Sequence, residues 1–163
     1  SLHDALPIFD EQRQRISQAG LELAPGELLA AATGRGAQLE GITAVLLLTD
    51  EDDFNALGST VLQGSVDGAV YRLGARLPGH GVVAPYTGGQ TLFDPQLTRY
   101  ELSRHYADGA RICAQPVDGT ACADGNLLFL VRADGRLAPV TRSGPPEPEP
   151  GDSMVVLTAR PAG

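Results

Sequence analysis

The stretch LLLTDEDDFNAL, residues 46–57, carries the decision about fold. Upstream of it the apolar run Ile42 to Leu48 is unbroken, the pattern of a parallel strand covered on both faces. At Thr49-Asp50 the pattern changes. Acids follow at once, with Thr49 and Asp52 spaced as a capping box in which Asp replaces Glu. Phe54, Leu57, Val61 and Leu62 then recur at i, i+3, i+7 and i+8, which predicts one buried helix face. Val70 to Leu73 (VYRL) reads as the next strand. Strand, helix and strand in that order predict an α/β fold with a mostly parallel sheet.

Working outward, Asp10 to Gln18 reads as a polar helix with Ile16 inward, stopped at Ala19-Gly20. Leu21-Glu22-Leu23 alternates like a short strand, Pro25-Gly26 turns, and Glu27 to Thr33 reads as a short helix. Downstream, the glycine-rich stretch Pro78 to Gln90 reads as a loop around a short Val82-Val83 strand. Asp94-Pro95 reads as a helix start, with the helix running to about Ala107 and stopping at Asp108-Gly109. On it, Leu102 and Tyr106 form an i, i+4 pair. The remainder is β-rich. Strands are expected at Ala110 to Ala114, Leu127 to Arg132, Leu137 to Val140 and Met154 to Thr158. Asp134-Gly135 signals a hairpin, and Pro145 to Pro150 (PPEPEP) reads as a stiff extended linker.

Bulk properties narrow the function. The chain has 163 residues, 42% of them hydrophobic, so a real core can form. The net charge of −8 argues against nucleic acid and anionic membranes as partners. No apolar run approaches the roughly 20 residues of a spanning helix, and no basic region followed by an apolar stretch marks a signal peptide. Cys113 and Cys122 match no zinc or CxxC spacing. Cys113, in an apolar run, is expected to be a buried structural thiol in a reducing, cytosolic setting, with a disulfide left open.

Chemistry is sparse. In a parallel sheet, ligands bind beyond the carboxyl ends of the strands, which places a crevice at Thr49 to Asn55. Asp50, Asp52 and Asp53 there stabilise the helix dipole and would repel a phosphate. They could instead accept bonds from ribose hydroxyls or hold a cation, or serve only as caps. Gly34-Arg35-Gly36, Gly79-His80-Gly81 and Gly88-Gly89 fit neither G-x-G-x-x-G after a strand nor a P-loop, and read as loop punctuation. His3, His80 and His105 do not cluster, no metal-ligand spacing occurs, and there is no G-x-S-x-G elbow. Ser59 and Ser65 read as helix-end residues and Glu147 and Glu149 as solvated charge. Nothing in the pattern calls for an enzyme.

Ser1 to Ile8 (SLHDALPI) reads as the translation of a sequencing-adapter oligonucleotide, so it is expected to be a scar, with a natural chain extending upstream.

These residues in sequence resemble a known family. The run VLLLTDEDDFNAL, Val45 to Leu57, is similar to the "vLaLTpNdevNalA" signature of RCK-like, TrkA-N-type domains at the end of bacterial sodium/proton antiporters of the NhaP type. Ala19-Gly20-Leu21 with Pro25-Gly26-Glu27-Leu28-Leu29 resembles the family's approach, with Glu27 where Asp is usual. Val70 to Leu73 resembles its "vYqL" strand, and Tyr100-Glu101-Leu102 with Ala107 to Ala110 its following helix and exit. Leu128 to Val140 with Pro150 to Leu157 resembles its terminal β-unit.

The resemblance spans nearly all of residues 10–158 and implies a Rossmann-like regulatory domain that is not an enzyme. Its expected divisions are an adapter scar at 1–8, a partial Rossmann-like half at 9–75, a loop and helix connector at 76–109, and a β-rich unit at 110–163. It implies an upstream transmembrane antiporter part as partner, a homodimer in the parent, and the cytoplasmic side of the inner membrane. The family's first strand and phosphate-binding turn fall outside this chain, so a nucleotide is expected only of the intact domain. Thr49, Asp50 and Asn55 transfer as remnants of a ligand crevice. The resemblance also predicts that the Ile42–Leu48 strand and the Phe54, Leu57 and Val61 face are incompletely covered. A stand-alone TrkA-type potassium-transport subunit is the alternative, and a fragment of a nucleotide-dependent oxidoreductase a more distant one.

Overall fold

Four residues of the apolar run, Ala44–Leu47, form strand β1, and its Val45 and Leu47 are buried. Helix α1 (Asp52–Leu62) follows, then β2 (Ala69–Leu73) and β3 (Gln90–Leu92). The three strands are parallel in the order β1-β2-β3, with Leu47 beside Arg72 and Arg72 beside Thr91. Helix α2 (Arg99–Ala107) leads into β4 (Ile112–Pro116), β5 (Gly125–Val131), β6 (Leu137–Pro139) and β7 (Ser153–Thr158). These four strands make an antiparallel sheet in the order β4-β7-β5-β6. The computed structural model describes residues 14–21, 42–49, 52–74, 89–93, 97–117 and 125–158. The fold is α/β, a partial Rossmann-like parallel sheet with a β-rich C-terminal unit.

The two sheets share a core. Leu73 and Leu92 from the parallel sheet pack with Phe93, Leu97, Ala110, Leu128 and Leu157. Backbone bonds cross the same seam, Phe93 N–H to the Val140 carbonyl at 2.8 Å and Arg142 N–H to the Thr91 carbonyl at 3.0 Å. A second cluster, Val45, Leu47, Leu62 and Val70, lies between the parallel sheet and α1.

Turn chemistry accounts for most of the connections. The helical residues 14–18 end with Gly20 at φ 71°, the Leu21 N–H reaching the Ile16 carbonyl and the Gly20 N–H that of Ser17. This is a Schellman stop, and Gly109 at φ 101° repeats it after α2. Between β5 and β6 the Arg132 N–H bonds the Arg136 carbonyl around Ala133-Asp134-Gly135, with Gly135 at φ 85°. The expected hairpin is there.

Several expectations change. The α1 face that is buried is Asn55, Gly58, Ser59 and Leu62. Phe54 is 42% and Leu57 61% exposed, as Leu48 is at 46%. Small residues let the helix approach the sheet closely: a side chain at Gly89 would lie 3.0 Å from the Ser59 Cβ. Phe54 and Leu57 then face away and Leu48 is exposed, while Val45 and Leu47 of the same apolar run are buried and Val61 is half-buried.

Helix α2 begins not at Asp94-Pro95 but after Thr98, whose extended backbone (φ −72°, ψ 167°) and side chain cap the Glu101 N–H. Asp94 and Pro95 lie outside the described residues. Tyr106 points outward, 57% exposed, with the Arg111 guanidinium 4.6 Å from its ring centre, a cation–π contact. Strand β3 falls at the end of the stretch read as loop. At three residues it is too short for alternation to register. The elements expected at 21–23, 27–33 and Val82-Val83 lie outside the described residues, Leu21 apart.

The PPEPEP segment is not a free linker. The Arg132 guanidinium donates to the Glu147 carbonyl at 2.9 Å and to the buried Asp152 carboxylate at 2.7 Å. Pro150-Gly151 then makes a type II turn, with Gly151 at φ 88° and the Asp152 N–H bonded to the Glu149 carbonyl. The Glu149 N–H on Asp152 holds that carboxyl below the usual carboxylate range, with Arg132 adding to it against the cost of burial. A carboxyl lowered on folding contributes stability above its ordinary pKa, about 4, and loses it as pH falls through the folded value. Melting temperature should hold from neutral pH to about 5 and drop below about pH 4. Asp152→Asn should flatten that acid limb, and a wild-type limb unchanged by the substitution would rule the linkage out.

Cys113 is not a buried thiol. It is half-buried on β4, at the sheet edge, and is disulfide-bonded. The edge position leaves its sulfur within reach of a partner, which the apolar neighbours did not reveal. The chain's other cysteine, Cys122, lies outside the described residues. Thiol titration of the unreduced protein in denaturant should find no free thiol, and both should appear after reduction.

Candidate ligand crevice at the carboxyl edge of the parallel sheet

Strand β1 delivers Thr49 to the carboxyl edge of the sheet, and α1 turns back over it. Asn55, fully buried, is the residue that closes the turn. Its Oδ1 accepts from the Thr49 N–H at 3.2 Å and from the Thr49 hydroxyl at 2.7 Å. Its Nδ2 donates to the Thr49 carbonyl at 2.9 Å. A single amide therefore meets donor and acceptor of the same residue, the reciprocal pattern only Asn or Gln can supply. Thr49 itself is exposed. Two of the three expected crevice residues are thus brought together, and each is engaged with the other. Asp50 lies outside the described residues.

The neighbouring strand brings a residue not assigned to the crevice from sequence. Arg72 pairs with Leu47 on one side and Thr91 on the other. Strand alternation puts Arg72 and Val70 on the α1 face, where Val70 packs with Leu47 and Leu62. Arg72 is half-buried there. Burial, and next the charge of Arg142, lower its guanidinium, while Asp52 in the first turn of α1 raises it. The guanidinium stays charged across the working pH range.

Arg142 arrives from the turn that follows β6. Its N–H bonds the carbonyl of Thr91, the partner of Arg72 in the ladder. Its Nη2 lies 3.9 Å from where a Cβ on Gly74 would stand, and the Thr91 methyl 3.3 Å from the same point. Gly74 is two residues beyond Arg72, hence on the same face.

Phe93 completes the edge. It follows β3 directly with φ 61°, a conformation that costs a bulky residue about 1–2 kcal/mol. Burial, an edge-on contact with Phe129 (centroids 5.4 Å, 80°) and the bond to Val140 hold it there. Among the described residues the edge therefore carries a buried amide clasp, the first-turn acids Asp52 and Asp53, and the arginines Arg72 and Arg142. This is equipment for holding charge, and among the described residues none of it forms a nucleophile–base pair. Arg72 had one sequence signal, a charge inside an apolar strand, where arginine is rarely tolerated without compensation. Arg142 had none.

No protein-family model, curated protein or solved structure matches this chain.

Proposed function

We propose that this chain is the regulatory α/β unit of a bacterial sodium (cation)/proton antiporter, sensing a ligand and not transporting, with no catalytic reaction of its own. One observation carries the reading. The motifs of the RCK-like resemblance fall in order on successive elements: Val45 to Leu57 on β1 and α1, Val70 to Leu73 on β2, and Leu128 to Leu157 on β5, β6 and β7. The Thr49–Asn55 clasp lies at the centre of the first motif and the Pro150–Gly151–Asp152 turn opens the last.

On this reading the partner is an upstream transmembrane part that holds the transport residues, and the parent is a homodimer. The unit lies on the cytoplasmic side of the inner membrane and binds no nucleic acid. Among the described residues no helix is long and apolar enough to cross a membrane. A reducing cytosol works against the Cys113 disulfide, so on this reading the unit must stay folded with that bond reduced. Sequencing the native locus tests the proposal. A multi-span membrane segment in the same reading frame is expected upstream. A frame that opens instead with its own Met and a Gly-rich turn would overturn it in favour of a stand-alone TrkA-type subunit.

A further inference from the structure

We propose that Arg72 and Arg142 form a binding site for a small oxyanion, a phosphate or carboxylate group, on the α1 face of the parallel sheet at its carboxyl edge. The two arginines come from separate parts of the fold, Arg72 from β2 and Arg142 from the turn after β6, and the charge of Arg142 is felt at Arg72. Arg142 is tied through its backbone to Thr91, the ladder partner of Arg72, and its side chain is laid over Gly74. Glycine at 74 leaves room beside the Arg142 guanidinium, since any side chain there would press on the Thr91 methyl.

Two like charges drawn together repel, more strongly for the half-buried Arg72 than for the exposed Arg142, and arginine cannot relieve this by losing its proton. Asp52, an acid that repels a phosphate from the Thr49–Asn55 crevice, stands on the Arg72 side and offsets part of its charge, so the anion has to be held by both arginines together. Among the described residues Arg142 has no ion pair. A planar or tetrahedral oxyanion with two acceptor oxygens bridges such a pair with charge-assisted bonds. The shared chemistry is that of a phosphate or carboxylate group, and a compact inorganic ion and an organic acid are its two sources.

The inference goes beyond the antiporter reading and does not rest on it, because binding to the isolated chain needs no membrane part. The experiment is calorimetric titration of the full chain with inorganic phosphate and, separately, with succinate, each at constant ionic strength in chloride. Saturable binding of at least one is expected, and which one binds identifies the source. Arg142→Gln, at an exposed position, should weaken it by at least about tenfold. Arg136→Gln removes the same charge from the exposed β5–β6 hairpin and should leave binding unchanged. Arg72→Gln should abolish binding in a chain whose circular dichroism is unaltered; should that variant fail to fold, the Arg142 and Arg136 pair decides alone. No saturable binding of either anion, or equal loss in the Arg142 and Arg136 variants, would overturn the site.

Discussion

Asn55→Ala is expected to lower stability by about 2–3 kcal/mol, read as a fall in the urea midpoint with the slope unchanged. The substitution removes all three bonds to Thr49 and leaves a cavity beside Ser59 and Leu62, both fully buried. The Thr49 N–H and carbonyl then have to find water at a turn that α1 covers. The companion Thr49→Val deletes the hydroxyl bond to Asn55 and keeps the two backbone bonds, at an exposed residue, and should cost about 1 kcal/mol or less. The ratio between the two separates a clasp on the backbone from a simple side-chain contact. Equal losses would mean that the hydroxyl bond alone holds the turn. An Asn55→Ala midpoint indistinguishable from wild type would mean that the turn is held elsewhere.

The clasp shows how unevenly the sequence disclosed its site. Residue types and spacing located the strand–turn–helix junction, because an apolar run that ends in Thr-Asp and turns acidic combines a strand end with a helix cap and a first turn suited to the dipole. The same spacing brought Thr49 and Asn55 into one crevice. It did not say that Asn55 bonds inward to Thr49, since a side chain six residues on reaches back only when the helix folds over the strand end. Arg142 lay further from view. It comes near Arg72 through a long-range contact of the turn after β6 with β3, and local pattern carries no information about such a contact.

The β-rich half was legible for a different reason. Asp134-Gly135 and Pro150-Gly151 dictate positive φ at fixed places, so they set turns whatever surrounds them. Thr98-x-x-Glu101 is the same kind of signal and was present in the chain. Asp94-Pro95, also a helix-start pattern, competed with it a few residues earlier and drew the boundary.

Helix α1 is where periodicity misled, and there a single pair of substitutions decides between two faces. Reading apolar residues alone makes Phe54, Leu57, Val61 and Leu62 the inner stripe. Packing instead selects Asn55, Ser59 and Leu62, at i, i+4 and i+7, because the small Ser59 permits the close approach to Gly89. Leu62 belongs to both stripes and Leu57 to one only. Leu62 is fully buried against Val45, Leu47 and Val70, so Leu62→Ala should cost about 3 kcal/mol. Leu57, 61% exposed, should cost no more than about 0.5 kcal/mol when replaced by alanine. Urea midpoints of the two variants, measured under one condition, read the difference directly. A Leu57→Ala loss approaching that of Leu62→Ala would mean that Leu57 is covered in solution, either by a second copy of the chain or by a rotation of α1 that would also break the Asn55 clasp. Combining Leu57→Ala with Asn55→Ala separates those two cases. Cover by a second copy leaves the Asn55 cost intact and makes the Leu57 cost depend on protein concentration. A rotated helix removes the Asn55 cost at every concentration.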